Sequence, residues 1–172
     1  MTRVVPYMRV ANVQDGFLDL EEVKSIEAHE GDISKLVLKH GDVLMTEGGD
    51  FDKLGRGARW QRDIPDCIHQ NHVFRVRVNR EIVLPEYFDV FLRTFTAKSY
   101  FLSCAKKTSN LASINITQLK ALPVPVPCLE TQRHFASKLQ QLQNLTSKAG
   151  EHKLGVNNLF QSLIQRAFQG NM

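Results

Sequence analysis

The feature that most constrains the fold is a run of alternating prolines at residues 123–127, after which the chain contains no further proline. Proline lacks a backbone N–H and clashes with the preceding helical turn, so this run can form neither a helix interior nor a central strand. It predicts a stiff, extended connection between two parts of the chain. We therefore predict one domain at residues 1–127 and a second segment at residues 128–172.

The segment after the prolines has the composition of a long helix. From Leu129 to Phe168 it is rich in Gln, Leu, Lys and Ala, and its apolar residues recur at helical spacing, which predicts one apolar stripe. About 40 helical residues span about 60 Å, so the stripe extends beyond the preceding domain and needs a partner helix. The predicted partner contacts are Phe135, Leu139, Leu142, Val156, Leu159 and Leu163. A break near residues 148–156, where two glycines disfavour a helix, is the alternative.

The first domain begins with short strands separated by turns. Residues 4–10 are rich in β-branched residues, and Pro6 confines their strand to the edge of a sheet or to a strand end. Residues 36–39 and 43–46 predict two strands around a His-Gly-Asp turn. Residues 20–29 fit either a short helix or a turn-rich connection.

The stretch Val73–Val78 alternates between two faces, as a half-buried strand does. Its three even-numbered positions are apolar and share one face. Arg75 and Arg77 leave the sheet together on the other face, where they are available either to a polyanion or to salt bridges within the protein.

Helical spacing predicts the elements that follow this strand. Pro85 stands at the first turn of a helix, and a second helical piece is expected through residues 100–106. Asn115 or Thr117 can cap a single further turn. The fold class predicted from these elements is α+β, with a globular domain of mixed sheet and helix followed by the long C-terminal helix.

Charge is distributed unevenly along the chain. Residues 1–52 carry a net charge of −6, residues 53–129 carry +7 and residues 130–172 carry +3. The basic excess therefore begins after Asp52, which points to a polyanionic partner such as DNA. Ordinary solvated faces are the alternative explanation.

The Gly-rich residues 47–57 form the most distinctive loop of the sequence. The loop lacks the Gly-Lys-Ser/Thr of a P-loop and contains three acids, so a nucleotide site is disfavoured. We expect little regular structure here and a mobile loop followed by regularly spaced basic residues, which can contact a DNA backbone together. Lys106 and Lys107, just before Thr-Ser-Asn, can anchor a phosphate or simply complement a helix end.

The sequence carries no recognisable catalytic constellation. Cys67, His69 and His72 could supply three zinc ligands, but structural zinc needs a fourth and none is nearby. The motifs of metal-dependent nucleases, of methyl transfer and of a Gly-x-Ser-x-Gly nucleophile are also missing. We therefore expect no enzymatic activity and no metal or other cofactor.

Cysteine usage and hydropathy bear on the compartment. Three cysteines without a CxxC pair argue against a disulfide scaffold. No apolar run approaches the ~18 residues of a membrane helix, and the N-terminus lacks the apolar core of a signal peptide. A cytoplasmic protein without a membrane partner is expected.

Several segments, taken in order, resemble the specificity subunit of type I restriction–modification systems. These segments are Val5–Gly16, Leu44–Asp50, Lys53–Arg56, His69–Val76, Asn115–Gln132 and Leu163–Gly170. Each is moderately specific, and together they cover nearly the whole chain.

The resemblance implies a target-recognition domain with a spacer helix. Members of this family usually hold two such domains, each followed by a long helix, and the two helices pack as an antiparallel coiled coil that acts as a ruler between two DNA half-sites. This chain has one domain and one helix, and it lacks the stretch that normally precedes the Val5-Pro6-Tyr7 segment. A half-subunit or a fragment is expected, and a homodimer through the helix could recreate the two-domain arrangement.

The resemblance also implies partners rather than catalysis. They are double-stranded DNA, methyltransferase subunits and a restriction/translocase subunit. The residues expected to contact DNA are Lys53, Arg56, Arg59, Asn71, Arg75, Arg77, Lys106, Lys107, Ser109 and Asn110. The alternative is a remnant or interaction protein that dimerises through its C-terminal helix and does not bind DNA.

Overall fold

The structure is a computed structural model that describes residues 1–62, 64–108, 111–148, 160–162 and 164. Within these residues the chain forms short strands and helices, with single turns of 3-10 helix at Val10–Asn12 and Phe51–Lys53. The elements in chain order are β1 (Thr2–Met8), β2 (Lys24–His29), α1 (Glu30–Leu36), β3 (Val43–Thr46), β4 (Gly48–Gly49), β5 (Gly57–Arg59), β6 (Ile68–His69), β7 (Val73–Val76), α2 (Pro85–Leu92), α3 (Phe95–Cys104), β8 (Lys106–Lys107), β9 (Ala112–Ser113), α4 (Ile116–Lys120) and α5 (Leu129–Lys148).

The first sheet has the strand order β2-β1-β6. β1 pairs antiparallel with β2 through six residue pairs, and Pro6 lies opposite Ser25. On its other side β1 pairs with β6 only at Tyr7 and Met8. On that side Pro6 has no neighbouring strand among the described residues, so its missing N–H leaves no strand hydrogen bond unmade there. The expectation of a helix or turn is wrong for residues 24–29, which form the largely exposed strand β2, held by pairing with β1. Residues 20–23 are an irregular connection.

The second sheet, β5-β3-β7, carries the centre of the core. All four residues of β3 are buried, and β3 pairs antiparallel with both neighbours. Phe74, Val76 and Val78 pack against the largest apolar cluster, as their spacing predicts, although the strand ends at Val76. The predicted strand at residues 36–39 does not form, because Leu36 is the last residue of α1.

The third sheet, β4-β9-β8, is built from three two-residue strands. The expectation of little regular structure at residues 47–57 is therefore wrong in part. Gly48 can pair with β9 because it has no side chain: a Cβ there would lie 2.9 Å from the backbone oxygen of Ala112. Glycine thus permits an approach that a sequence-based strand propensity does not anticipate.

Helices α2 and α3 cover the second sheet. Pro85 opens α2 as expected, and nearly every residue of α2 is buried. The second helix begins at Phe95, earlier than predicted, because Thr94 caps it by accepting a hydrogen bond from the Ala97 backbone. Lys106 lies in β8 rather than in that helix.

The polypeptide between residues 114 and 148 follows the predicted plan. Asn115 caps α4 in a capping box with Gln118, and the proline run at residues 123–127 forms neither helix nor strand. α5 then begins at Leu129 and is described as far as Lys148. No helix in the described part of the chain is long and apolar enough to cross a membrane.

The apolar stripe of α5 packs first against its own domain. Phe135 and Leu139 are only 7% and 8% exposed and join a cluster with Tyr87, Val90 and Ile164. Leu142 is half-buried. Val156, Leu159 and Leu163, and the possible break near residues 148–156, lie outside the described residues. Pairing of this helix in an antiparallel coiled coil stays a prediction.

Candidate nucleic-acid interface

A surface depression of about 490 Å³ lies at the third sheet, and we call it the hairpin groove. Strands β4, β8 and β9, the turn before β7 and the start of the 3-10 turn Val10–Asn12 surround it. The residues that line it are Val10, Glu47, Gly48, Gly49, His72, Lys106, Thr108, Leu111, Ala112 and Ser113. Its side chains are mostly polar and include one lysine, one histidine and one glutamate.

Strand register places Lys106 at one wall of the hairpin groove. Ser113 pairs with Gly48 on one side and with Lys106 on the other, so Gly48 and Lys106 lie about 10 Å apart across two strand spacings. Lys107 is the next residue in β8, and its side chain leaves on the opposite face. Both lysines are exposed, and neither forms an ion pair with a described carboxylate.

The base of the β8–β9 hairpin is fixed by Thr108. Its backbone N–H donates to the Leu111 carbonyl at 2.8 Å, and the Leu111 N–H donates to the Thr108 hydroxyl at 3.2 Å. Ser109 and Asn110, two of the predicted DNA contacts, follow Thr108 in the sequence and lie outside the described residues.

His72 and Glu47 form the opposite wall of the hairpin groove. His72 Nδ1 lies 2.7 Å from Glu47 Oε2, and the His72 side chain is 69% exposed. The Glu47 backbone also joins two sheets, because its N–H donates to the His72 carbonyl and its carbonyl accepts from Ile114. Asn71, a predicted DNA contact, is exposed next to His72.

Lys53 and Arg56 lie close to the same groove. A Cβ placed on Gly49 would lie 3.7 Å from the Lys53 Cβ, and Lys53 pairs with Asp50. The hydrogen bond from Lys53 lowers the pKa of the Asp50 carboxyl. Arg56 donates to Gln14 Oε1 at 3.2 Å and to the carbonyl of Val10, a groove residue, at 3.5 Å.

Arg75 and Arg77 are engaged by the protein itself. Both leave β7 on the same side, as their spacing predicts, because both donate to the Val37 carbonyl. Arg77 also forms two 2.7 Å hydrogen bonds with the buried carboxylate of Asp42, which raise the pKa of the guanidinium. Burial instead lowers the pKa of Arg75, which donates to the Lys35 carbonyl at 2.8 Å.

Arg59 lies in a different depression, of about 780 Å³, between residues 16–21, β5, α2 and α5. It pairs with Glu86 on α2. The neighbouring Asp89 is buried, which raises the pKa of its carboxyl to about 6, against the opposing effects of Arg93 and Arg59. Arg59 is thus separated from the residues of the hairpin groove.

Of the predicted DNA contacts, the structure brings a subset together. Three gather at or beside the hairpin groove, namely Lys53, Arg56 and Lys106. Lys107 is the neighbour of Lys106 in β8 but leaves on the opposite face, and Asn71 lines a different depression together with Arg75. Arg59, Arg75 and Arg77 lie elsewhere, and each donates hydrogen bonds to acceptor groups of the protein itself. Sequence reasoning did not include Glu47 and Thr108 in the site, although a Gly-Gly pair next to an acid is a visible signal that backbone approaches closely there.

The Cys-x-His-x-x-His segment does not converge on one point. Cys67 is buried in an apolar cluster, and burial raises the pKa of its thiol to about 12. Burial also lowers the pKa of His69, whereas His72 faces solvent and contacts Glu47. Among the described residues, no group of three or more His, Cys, Asp or Glu side chains has a geometry that could hold a metal ion.

Comparisons with known proteins identify the family. A model described as the type I restriction modification DNA specificity domain matches residues 2–154. The EcoKI specificity subunit of Escherichia coli K12 is 25% identical over 97% of this chain and 37% of its own length. A putative MjaX specificity subunit from Methanocaldococcus jannaschii is 28% identical over 95% of this chain and 39% of its own length.

A solved structure shows the same fold. The HsdS subunit from Thermoanaerobacter tengcongensis superimposes with a TM-score of 0.63 at 20% identity, over 87% of this chain and 37% of that subunit. The chain thus spans somewhat more than a third of the length of the relatives that it matches. Because the family model covers most of its residues, the chain belongs to the type I restriction modification DNA specificity domain family.

Proposed function

We propose that this chain is the DNA-reading specificity component of a type I restriction–modification enzyme. It binds one half of a split DNA site and holds methyltransferase subunits there, together with a restriction/translocase subunit, without catalysing methyl transfer itself. It acts in the cytoplasm. The family match over residues 2–154 supports this role.

The observation that carries the DNA-binding part of the proposal is the cationic rim of the hairpin groove. Lys106 presents an exposed ammonium group at the groove. Lys53, which pairs with Asp50, and Arg56, which donates to Gln14 and Val10, lie close to it. Lysine and arginine contacts to phosphates supply most of the affinity of a protein for DNA.

Base readout is assigned to four polar residues, one in the turn before β7 and three that follow β8 in the sequence. Asn71, Thr108, Ser109 and Asn110 carry the amide and hydroxyl groups that hydrogen-bond base edges in the major groove. We propose that the β8–β9 hairpin delivers this set to the DNA. Arg59, Arg75 and Arg77 would have to leave their protein acceptors to join it, so we assign them to internal contacts.

The exposed part of the helical stripe is proposed to meet a second α5. Phe135 and Leu139 are already covered by α2 and by Phe160 and Ile164, which leaves Leu142 and Leu145 as the first apolar side chains with exposed surface. An isologous pair of helices would place two recognition domains on a symmetric split site.

Methylation mapping tests the proposed function. The chain is co-expressed with its cognate methyltransferase subunit, and modified bases are mapped across the genome of the host. We expect one split motif to be modified only when the chain is present. The Lys106→Ala variant should modify this motif several-fold less efficiently, whereas Lys120→Ala, at the end of α4 and outside the hairpin groove, should match the wild type. An identical methylation pattern without the chain would overturn the proposal.

A further inference from the structure

Gln132 is a completely buried polar residue in the first turns of α5. Its side chain is 0% exposed. The Oε1 atom accepts a hydrogen bond from the Leu84 backbone N–H at 2.8 Å. The Nε2 atom donates to the carbonyls of Ile82 and Pro127, at 2.9 and 2.8 Å. The amide therefore uses both of its donors and one acceptor site, all on backbone groups.

The three partners of Gln132 come from both sides of the joint between domain and helix. Ile82 and Leu84 precede α2, and Leu84 is the N-cap residue of that helix. Pro127 is the last proline of the extended connection. One side chain thus ties together the start of α2, the end of the connection and the beginning of α5.

Aromatic packing reinforces the same joint. The rings of Tyr87 and Phe135 meet edge to face, with centroids 5.8 Å apart and an angle of 78° between the planes. The Tyr87 hydroxyl donates to the Pro125 carbonyl at 2.9 Å. Phe135 follows Gln132 by three residues, so both side chains lie on the same face of α5.

We infer that Gln132 is a positioning residue that fixes the direction in which α5 leaves the recognition domain. Apolar contact is non-directional and tolerates some sliding and rotation. Three hydrogen bonds to fixed backbone groups require one orientation, because their strength falls steeply with misalignment. The apolar cluster attaches the helix, and Gln132 selects its angle.

The consequence for DNA recognition rests on the proposed function. A helix of 20 residues is about 30 Å long, so a change of about 7° in its direction moves its far end by about 3.4 Å, the rise of one base pair. A fixed helix direction therefore defines how far apart two half-sites must lie. Loss of Gln132 should relax this spacing while leaving the bases of each half-site unchanged.

The first test measures the helix direction without DNA. Spin labels are attached to cysteines that replace the exposed residues Lys39 and Lys138, in a full-length chain in which Cys104 and Cys128 are serine. The starting protein should give one narrow distance distribution. Gln132→Met, which keeps the volume but not the hydrogen bonds, should broaden it or shift it by about 1–2 Å, because Lys138 lies only 6 residues beyond Gln132 on α5. The exposed Gln141→Met serves as the matched control and should change nothing.

The second test reads the spacing in the methylation map. With Gln132→Met, the two half-motifs should stay the same, but modified sites should occur at more than one spacer length. Discrimination between neighbouring spacer lengths should fall about tenfold, in keeping with the loss of a buried hydrogen-bond network. The buried Ile33→Val variant in α1, which lowers stability far from the joint, should reduce methylation without altering the spacer.

The two tests separate the inference from the function on which it rests. A wild-type chain that directs no methylation contradicts the proposed function, and the distance measurement then still decides the role of Gln132. An unchanged distance distribution and an unchanged single spacer length in Gln132→Met would overturn the inference. If that variant does not fold, Gln132→Asn, which is one methylene too short to reach all three partners, replaces it with the same expected outcomes.

Discussion

The buried carboxylate of Asp42 receives two hydrogen bonds of 2.7 Å from the Arg77 guanidinium, one on each oxygen. Asp42 is only 1% exposed, and its Oδ2 also accepts from the Lys39 backbone at 2.7 Å. Arg75 donates to the same segment of chain from the same side of β7. The two arginines that a sequence pattern assigns to DNA therefore hold residues 35–42 against the second sheet.

Replacing Arg77 should lower stability. Arg77→Met leaves the buried Asp42 carboxylate with a single hydrogen bond from backbone, and we expect the free energy of unfolding to fall by about 1–3 kcal/mol. Urea denaturation measures the change. The matched control is Arg62→Met, an exposed arginine without a hydrogen bond in the described structure, which should stay within about 0.5 kcal/mol of the wild type. Equal stability of the two variants would contradict the assignment of Arg77 to an internal contact.

Replacing Lys106 should instead change the salt dependence of DNA binding. Each phosphate contact contributes about one unit to the slope of log affinity against log salt concentration. Gel shifts with random-sequence duplex over a salt series should therefore show a slope about one unit shallower for Lys106→Ala. Lys120→Ala should retain the wild-type slope. Absence of binding by the wild-type chain at low salt would favour an interaction protein that does not bind DNA.

Sequence patterns predicted the elements whose own residues carry a local signal, such as alternation, a cap or a proline. The alternation of β7, the proline at the start of α2, the Asn115 cap and the extended proline run all carry their own signal, and the structure confirms each. The strand at Lys24–His29 carries only the short alternation of Ile26 and Ala28, because most of its side chains are exposed and its hydrogen bonds depend on β1. Pairing partners distant in sequence decide such elements.

The same distinction between local signals and partners distant in sequence applies to the candidate site. Sequence alone identified candidate basic residues, but it could not tell a free cation from one that protein acceptors hold. Lys106, in a Lys-Lys pair, forms no ion pair with a described residue. Arg77, in a strand where arginines alternate with apolar residues, forms one with Asp42. The difference depends on Asp42, 35 residues away from Arg77, and no spacing rule connects the two.

Gly48 should tolerate no side chain. A Cβ at this position would lie 2.9 Å from the Ala112 carbonyl oxygen and 3.1 Å from the Ser113 Cβ. Gly48→Ala should therefore disrupt the pairing of β4 with β9 and lower the free energy of unfolding by about 1–3 kcal/mol. Gly31→Ala is the control, because nothing lies within 4 Å of a Cβ there, and alanine in a helix should raise stability by about 0.5–1 kcal/mol. Thermal denaturation compares the two, and a stable Gly48→Ala variant would contradict the close approach.

Asp89 should make the protein less stable as the pH rises. Burial raises the pKa of its carboxyl to about 6 from the ordinary value of 3.8, so the folded state favours the protonated form more than the unfolded state does. The destabilisation contributed by this group is therefore absent at pH values below the unfolded pKa and grows as the pH rises towards and past the folded pKa.

Asp89→Asn removes that titration. We expect the variant to be more stable than the wild type at pH 8 by about 1–3 kcal/mol, and the difference to shrink as the pH falls towards 4. Urea denaturation of both proteins at several pH values measures it. Asp66→Asn is the control in which the pKa shift has the opposite direction, because the hydrogen bond from Arg3 lowers the pKa of the Asp66 carboxyl. Its substitution should therefore not stabilise the protein at pH 8. A difference between Asp89→Asn and the wild type that stays constant with pH would show that the Asp89 carboxyl titrates alike in the folded and unfolded chains.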